Sequence, residues 1–366
     1  MYGGEILDGE KINQRLESVS ITVQEMIMSI DSAVRRQEAC VRLYGVSSFA
    51  SMLAMKRGEK HELPAIAGLL HHYYYYQTGI KEFLGPNSAE AVRPLLRDMN
   101  IFAKEEQIII LQAIFHHADR SRTHGPIEET VKDACVLHLY YQNTGRNLTQ
   151  QDALRLHKVF QELQIPGYVS EESHSSDNEE MRKISDPDRH SKLADIAQVL
   201  AGESIIGVPG NERYREICSY WPDRDIYKVL QNSWCAAFVY HCCRLAGFLL
   251  PIRYPNGICR FAGVGAWLEW AKLPETGFYY EDGLSGFTPQ RGDIVIYEKL
   301  LSDKSHDHIG IVLACGDNEI WVAEGNRDNR NFSSILYRDR WSSILGYIRI
   351  DNSYKFNFSD SYNPVI

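Results

Sequence analysis

Two stretches, SWCAAFVYHCCRLAGF (233–248) and DHIGIVLACGDNEIWVAE (307–324), decide how the second half of this 366-residue chain folds. In the first, apolar residues return every three or four positions and the run stops at Gly247, the pattern of a helix with a glycine at its end. In the second the period changes. Short β-branched runs bounded by Gly, Asp and Asn read as two antiparallel strands, with Cys315-Gly316-Asp317-Asn318-Glu319 as the hairpin connection. Working outward, RGDIVIYE (291–298) and ILGYIRI (344–350) read as further strands, while KLADIAQVLAG (192–202) and NERYREICSYW (211–221) read as helices before them. The expectation is an α+β domain in which helices precede a small antiparallel sheet.

This arrangement gathers chemistry at one place. Ser233 is a good N-cap, so Cys235 falls in the first helical turn, where unpaired backbone N–H groups and the helix dipole favour a thiolate. His308 opens one strand and Glu324 closes the next, so a hairpin brings them side by side. Glu324, or Asn326 just beyond it, then orients the imidazole toward the thiol, which is the geometry of a nucleophile, a base and an orienting group. An oxyanion hole has the Cys235 N–H as one donor and the side-chain amide of Gln231 or Asn232 as another; the sequence does not choose between them. Cys242 and Cys243, further along the helix, read as core thiols. His306 reads as a loop residue, Asp293 as the acid fixing the turn before a strand, and Trp267 and Trp270 as packing residues, while Asp307 is assigned no role.

Four blocks, WCAAFV (234–239), PQRGDIVIY (289–297), DHIGIV (307–312) and AEGN (323–326), together resemble the CHAP family of cysteine, histidine-dependent amidohydrolases/peptidases. The resemblance spans roughly residues 193 to 350. It implies a papain-like fold shared with NlpC-type cell-wall peptidases, with Cys235 as nucleophile, His308 as general base and acid, Glu324 as orienting residue and Asn326 as a fourth polar member. It also implies amide bonds of peptidoglycan, or of a peptide, as substrate, and no cofactor.

The first half is patterned differently. YGVSSFASMLAMKRG (44–58), AIAGLLHHYYYY (65–76), AIFHHADRS (113–121) and KDACVLHLYY (132–141) keep a helical period, with Gly85-Pro86-Asn87-Ser88 read as a turn with an N-cap. These runs resemble an HD-domain scaffold, the all-α family of metal-dependent phosphohydrolases. Of its ligands His71 and Asp133 remain, supplemented by His72, His116 and His117; His72 stands where an aspartate is expected, and Arg42 lies near a missing histidine. The resemblance implies either a degenerate fold that has lost catalysis or a divalent metal site with altered ligands. In the first case Arg42 suits a phosphorylated small molecule; in the second the domain is a metal phosphohydrolase acting on nucleotides.

The expected organisation is therefore multidomain: an HD-like all-α domain at 11–165, a polar linker at 166–191, a CHAP-like α+β domain at 192–351 and a C-terminal tail at 352–366. Thirty-nine basic against 48 acidic side chains give a net charge of −9, which excludes a general electrostatic footprint for nucleic acid. No signal peptide or membrane span is read, and the eight cysteines form no C-x-x-C pair. The expectation is a protein that is cytoplasmic as synthesised, does not bind membranes and reaches a cell wall only after lysis or dedicated export.

Overall fold

In the computed structural model the described residues are 4–144, 148–165, 188–284, 286–303, 305–357 and 361–366; for 4–13 only the backbone is described. The chain divides into two units, Met1–Glu179 with Ser361–Ile366, and Glu180–Asp360. Most of the expected linker at 166–191 lies outside the described residues. Its last residues do not: Asp188 caps a helix that begins at Arg189, its carboxylate accepting from the Ser191 N–H.

The first unit is all-α among the described residues: α1 (Gly4–Met28), α2 (Ala33–Lys56), α3 (Glu62–Leu70), α4 (Tyr73–Thr78), α5 (Leu84–Met99), α6 (Lys104–His116), α7 (Pro126–Gln142) and α8 (Gln150–Glu162). Pro126 opens α7 at a position where its missing N–H costs nothing. The expected turn at Gly85–Ser88 is instead the first turn of α5, which follows Phe83 in a left-handed conformation. Gly85 serves packing: a Cβ there would lie 2.1 Å from the Phe115 carbonyl oxygen, so its absence lets α5 close onto the end of α6. Part of the expected C-terminal tail also belongs to this unit. Tyr362 is buried, stacks on Phe115 at 3.9 Å and donates its hydroxyl to Glu90 at 2.8 Å.

The second unit begins with α9 (Arg189–Gly202), α10 (Glu212–Cys218), α11 (Ile226–Val229), α12 (Cys235–Ala246) and α13 (Val264–Ala271). Six strands follow: β1 (Tyr279–Glu281), β2 (Ile294–Tyr297), β3 (His308–Cys315), β4 (Glu319–Glu324), β5 (Ser334–Asp339) and β6 (Ile344–Ile348). They form one sheet in the order β1-β6-β2-β3-β4-β5, every neighbouring pair antiparallel. Four of these strands are legible as short β-branched runs; β1 and β5 are additional. The helices α9 and α12 pack on β3 and β4. Val295, Tyr297, Val312, Ile320, Val322 and Tyr347 form a fully buried cluster within the sheet, and burying each such side chain contributes about 1.5–3 kcal/mol. Trp267 and Trp270 of α13 are buried, the Trp267 indole N–H donating to the Phe261 carbonyl, which makes them packing residues.

Candidate active site

The start of α12 differs from its sequence reading. The N-cap is Trp234, with no side-chain cap, so Ser233 does not cap the helix and Cys235 is its first residue. The reason lies upstream, where Asn232 turns the chain through a left-handed conformation (φ 65°). That turn is anchored by Asn331, a residue the sequence reading missed. Its side-chain oxygen accepts from the Asn232 N–H at 3.2 Å and the Trp234 indole N–H at 3.1 Å, while its amide donates to the Gly207 carbonyl at 2.8 Å. Gly207 must lack a side chain, because a Cβ would meet the Asn331 oxygen at 2.1 Å and the Trp234 indole nitrogen at 2.3 Å. Cys235 thus sits buried at the N-terminus of a fixed helix, with its own N–H outside the helical ladder.

Facing residues come from the β3–β4 hairpin. Ile311 pairs with Ala323 and Val312 with Val322, and the same register extended sets Glu324 opposite Gly310, two residues from His308. Diagonal neighbours across antiparallel strands lie about 7–8 Å apart, within reach of a long side chain. Gly310 makes the room, since a Cβ there would be 2.9 Å from Glu324 Cγ. His308 Nε2–H accordingly donates to Glu324 Oε2 at 3.0 Å, with both side chains fully buried. A second glycine, Gly325, admits α12: its Cβ would lie 2.4 Å from that of Phe238.

With Nε2 engaged, Nδ1 of His308 is buried and closes no hydrogen bond in the resting geometry, which leaves it as the ring atom available to a thiol. Burial alone pushes the imidazole toward its neutral form. The Glu324 carboxylate and then the Cys235 sulfur outweigh it and raise His308 to about 10. Burial likewise pushes Glu324 up, but the His308 charge and the hydrogen bonds from Arg338 hold it down at about 2. Both shifts favour the imidazolium–carboxylate form of the pair. Tyr297, paired with His308 across β2 and β3, stacks its ring on the imidazole at 5.9 Å.

Arg338 of β5 is a further member that sequence reasoning missed. Its Nε donates to Glu324 Oε1 at 2.7 Å and its Nη2 to Oε2 at 2.6 Å, with Nη2 also 2.9 Å from Asp328. The apolar run ILY (335–337) was the available strand signal, but it shows neither the pairing of β5 with β4 nor the residue Arg338 reaches. Residues 227–326 match the CHAP domain family.

The CHAP match contains Cys235, His308 and Glu324 and ends before β5. It supports a hydrolase of the amidase or peptidase kind, a class that generally acts on peptidoglycan. No curated protein and no solved structure matches the chain. Within the matched span Asn326, expected as a fourth polar member of the catalytic group, bonds within its own loop. Its amide donates to Asn329 at 3.0 Å and its side-chain oxygen accepts from the Asn331 N–H at 3.0 Å, so it shapes its own loop. Gln231 is half-buried and Asn232 exposed, and the backbone N–H of Asn232 is committed to Asn331. Asp307 accepts from the Leu301 and Ser302 N–H groups at 2.6 Å and so fixes the turn before β3. Asp293 accepts from the Gln290 N–H at 2.7 Å and likewise fixes a turn.

In the helical unit His71, His72 and His117 do come together, with ring centroids 4.2 to 5.1 Å apart. The ring N–H groups at Nδ1 of His71 and His117 donate to the carbonyls of Gly68 at 2.6 Å and Ile114 at 2.7 Å. Burial, reinforced by nearby cations, pushes all three toward the neutral form. Asp133 is not with them. Arg57 and Arg155 take its two oxygens at 2.6 and 2.7 Å, an ion-pair role in place of the expected metal ligation. Arg42 moreover donates to Nε2 of His71 at 3.3 Å and so blocks that lone pair. The donor set of a two-metal hydrolase, which needs bridging carboxylates, is not assembled by these residues. The expected His116 lies apart from this trio, in a cluster with Asp119 and His124 whose ligand atoms fall within 4.8 Å of one another. There the Lys132 ammonium donates to Nδ1 of His124 at 2.6 Å, which leaves the ring proton on Nε2 and a positive charge beside the site. A cation is poorly served by either group. No helix among the described residues is long and apolar enough to cross a membrane.

Proposed function

We propose that the second unit is a thiol amidase or peptidase in which Cys235 attacks, His308 moves the proton and Glu324 orients His308, with peptidoglycan amide bonds as substrate. The observation that carries this reading is the buried imidazole whose Nε2 is held by Glu324, whose Nδ1 closes no hydrogen bond and whose proton affinity the Cys235 sulfur raises. In the reaction the sulfur bonds to the carbonyl carbon. The carbon–nitrogen bond breaks as His308 delivers a proton to the leaving nitrogen, giving a thioester. His308 then takes a proton from water, the water oxygen bonds to the same carbon, and the carbon–sulfur bond breaks to release a carboxylic acid and restore Cys235. The Cys235 N–H, with the side chain of Gln231 or Asn232, receives the negative oxygen of the tetrahedral intermediate.

Cysteine labelling tests the site without a substrate. Cys235 is only 7% exposed whereas Cys40 and Cys259 are exposed, so accessibility alone favours the latter two. Under limiting iodoacetamide at pH 7, peptide mapping is expected to find Cys235 modified first, by roughly tenfold or more, with the preference lost in His308→Ala. Labelling confined to Cys40 and Cys259 would remove the nucleophile assignment.

For the helical unit the supported reading is a binding module. Arg42, Lys81, His72, Tyr75 and Tyr76, with Glu38 as the opposing acid, line a cavity of about 410 Å³, a cationic and aromatic wall suited to a phosphorylated small molecule. Inorganic phosphate is expected to raise the melting temperature of the wild type and not of Arg42→Ala; an equal rise in both would discard the reading.

A further inference from the structure

The buried carboxylate of Glu324 raises a question that the three catalytic groups alone do not answer. A carboxylate and an imidazolium sharing a proton in a dry site have an uncharged alternative, in which the proton moves from Nε2 to the carboxylate and both groups become neutral. Low polarity favours that alternative, because desolvation penalises charges on both sides. A neutral imidazole beside Cys235 no longer stabilises a thiolate.

We propose that Arg338 is the positioning residue that keeps Glu324 anionic, and thereby keeps the shared proton on His308. Among the described residues, the charged or titratable groups that bear on Glu324 are His308 on β3, Tyr297 on β2, Asp328 in the loop after β4 and Arg338 on β5. Only Arg338 meets both carboxylate oxygens. Its planar fork fits them bidentately, which fixes the carboxylate plane as well as its charge. It is 12% exposed at the side chain, its guanidinium lies 5.3 Å from the Tyr297 ring centroid, and Asp328 holds Nη2 from the other side. Its own proton is secure, since no protein environment neutralises a guanidinium that touches two carboxylates. Burial holds the Tyr297 phenol in its neutral form, so it brings no positive charge to the carboxylate. Arg338 lies outside the span matched to the CHAP domain, and the assignment rests on this chain's own geometry.

The inference rests on the catalytic reading above, and the experiment separates the two. Full-length protein labelled with ¹⁵N-histidine is prepared as wild type, Arg338→Met, Arg338→Lys and Glu324→Gln, with the His308 signals identified by their loss in His308→Gln. At pH 7 the wild type is expected to show both His308 ring nitrogens protonated. Arg338→Met is expected to show a neutral ring, and Arg338→Lys, which keeps the charge and loses the fork, a protonated one. On purified peptidoglycan, Arg338→Met is expected to lose at least tenfold in kcat with KM unchanged, and Arg338→Lys at least threefold. Adding Arg338→Met to Glu324→Gln is expected to cost less than twofold, because the arginine acts through that carboxylate. A protonated His308 ring in Arg338→Met, or full turnover in Arg338→Lys, would overturn the proposal. If Arg338→Met does not fold, the turnover of Arg338→Lys decides alone. Activity that survives Cys235→Ala would instead sink the catalytic reading, leaving the ring-protonation result to stand by itself.

Discussion

Replacing His308 with alanine is expected to lower amide hydrolysis by roughly 10⁴- to 10⁶-fold in kcat while the half-saturating substrate concentration stays within a few-fold. The size follows from the double duty of one ring. Nε2 is fixed on Glu324 and Nδ1 closes no hydrogen bond at rest, so no second described group is placed to take over the proton. The variant should still fold, because Glu324 keeps its two bonds from Arg338. Steady-state turnover of dye-labelled peptidoglycan, with circular dichroism as the folding control, measures both parts. A loss smaller than tenfold would mean that His308 is not the base.

Glu324→Ala carries the second large effect, and it acts on stability as well as rate. It leaves the Arg338 guanidinium and the His308 imidazole facing each other across an emptied, fully buried position, the situation in which removing one partner of a buried ion pair costs about 3–5 kcal/mol. Turnover should fall about 10⁴-fold, as expected when the group that orients a catalytic histidine is lost. The pH dependence adds a sign that can be checked. Glu324 is held at about 2, below its ordinary range, so its contribution is complete above about pH 4.5 and is lost as the pH falls toward 2. His308 is raised to about 10, so its contribution is complete below about pH 6.5 and is lost as the pH rises toward 10. The melting-temperature advantage of the wild type over Glu324→Gln should therefore be widest between about pH 4.5 and 6.5 and shrink on both sides. A gap that widens from pH 7 to 10 would contradict the ion-pair description.

What the sequence made legible follows from the range of the forces involved. The β3–β4 hairpin was readable because short β-branched runs and a Gly-Asp-Asn turn are local signals, and the approach of His308 to Glu324 follows from the hairpin alone. The start of α12 was misplaced by one residue because the competing partner, Asn331, lies far along the chain and takes the Asn232 N–H. Arg338 was invisible for a similar reason: β5 is a short, half-exposed strand, and its pairing with β4 is a tertiary fact. In the helical unit, Gly85 carried a turn signal locally, while its actual role is the close approach of α6. Asp133 was expected as a ligand because the resemblance to the HD-domain scaffold implied one there. Two arginines from other helices, Arg57 and Arg155, took it into an ion pair instead. Residues that touch only at long separation decide each of these cases, and no local pattern encodes them.

The most direct test of the central claim is digestion of purified peptidoglycan by the wild type and by Cys235→Ala, with the released products identified by mass spectrometry. The account predicts soluble fragments bearing a new amino group and a new carboxyl group, formed by the wild type and absent with the folded variant. Fragments formed equally by both proteins, or by neither, would contradict it.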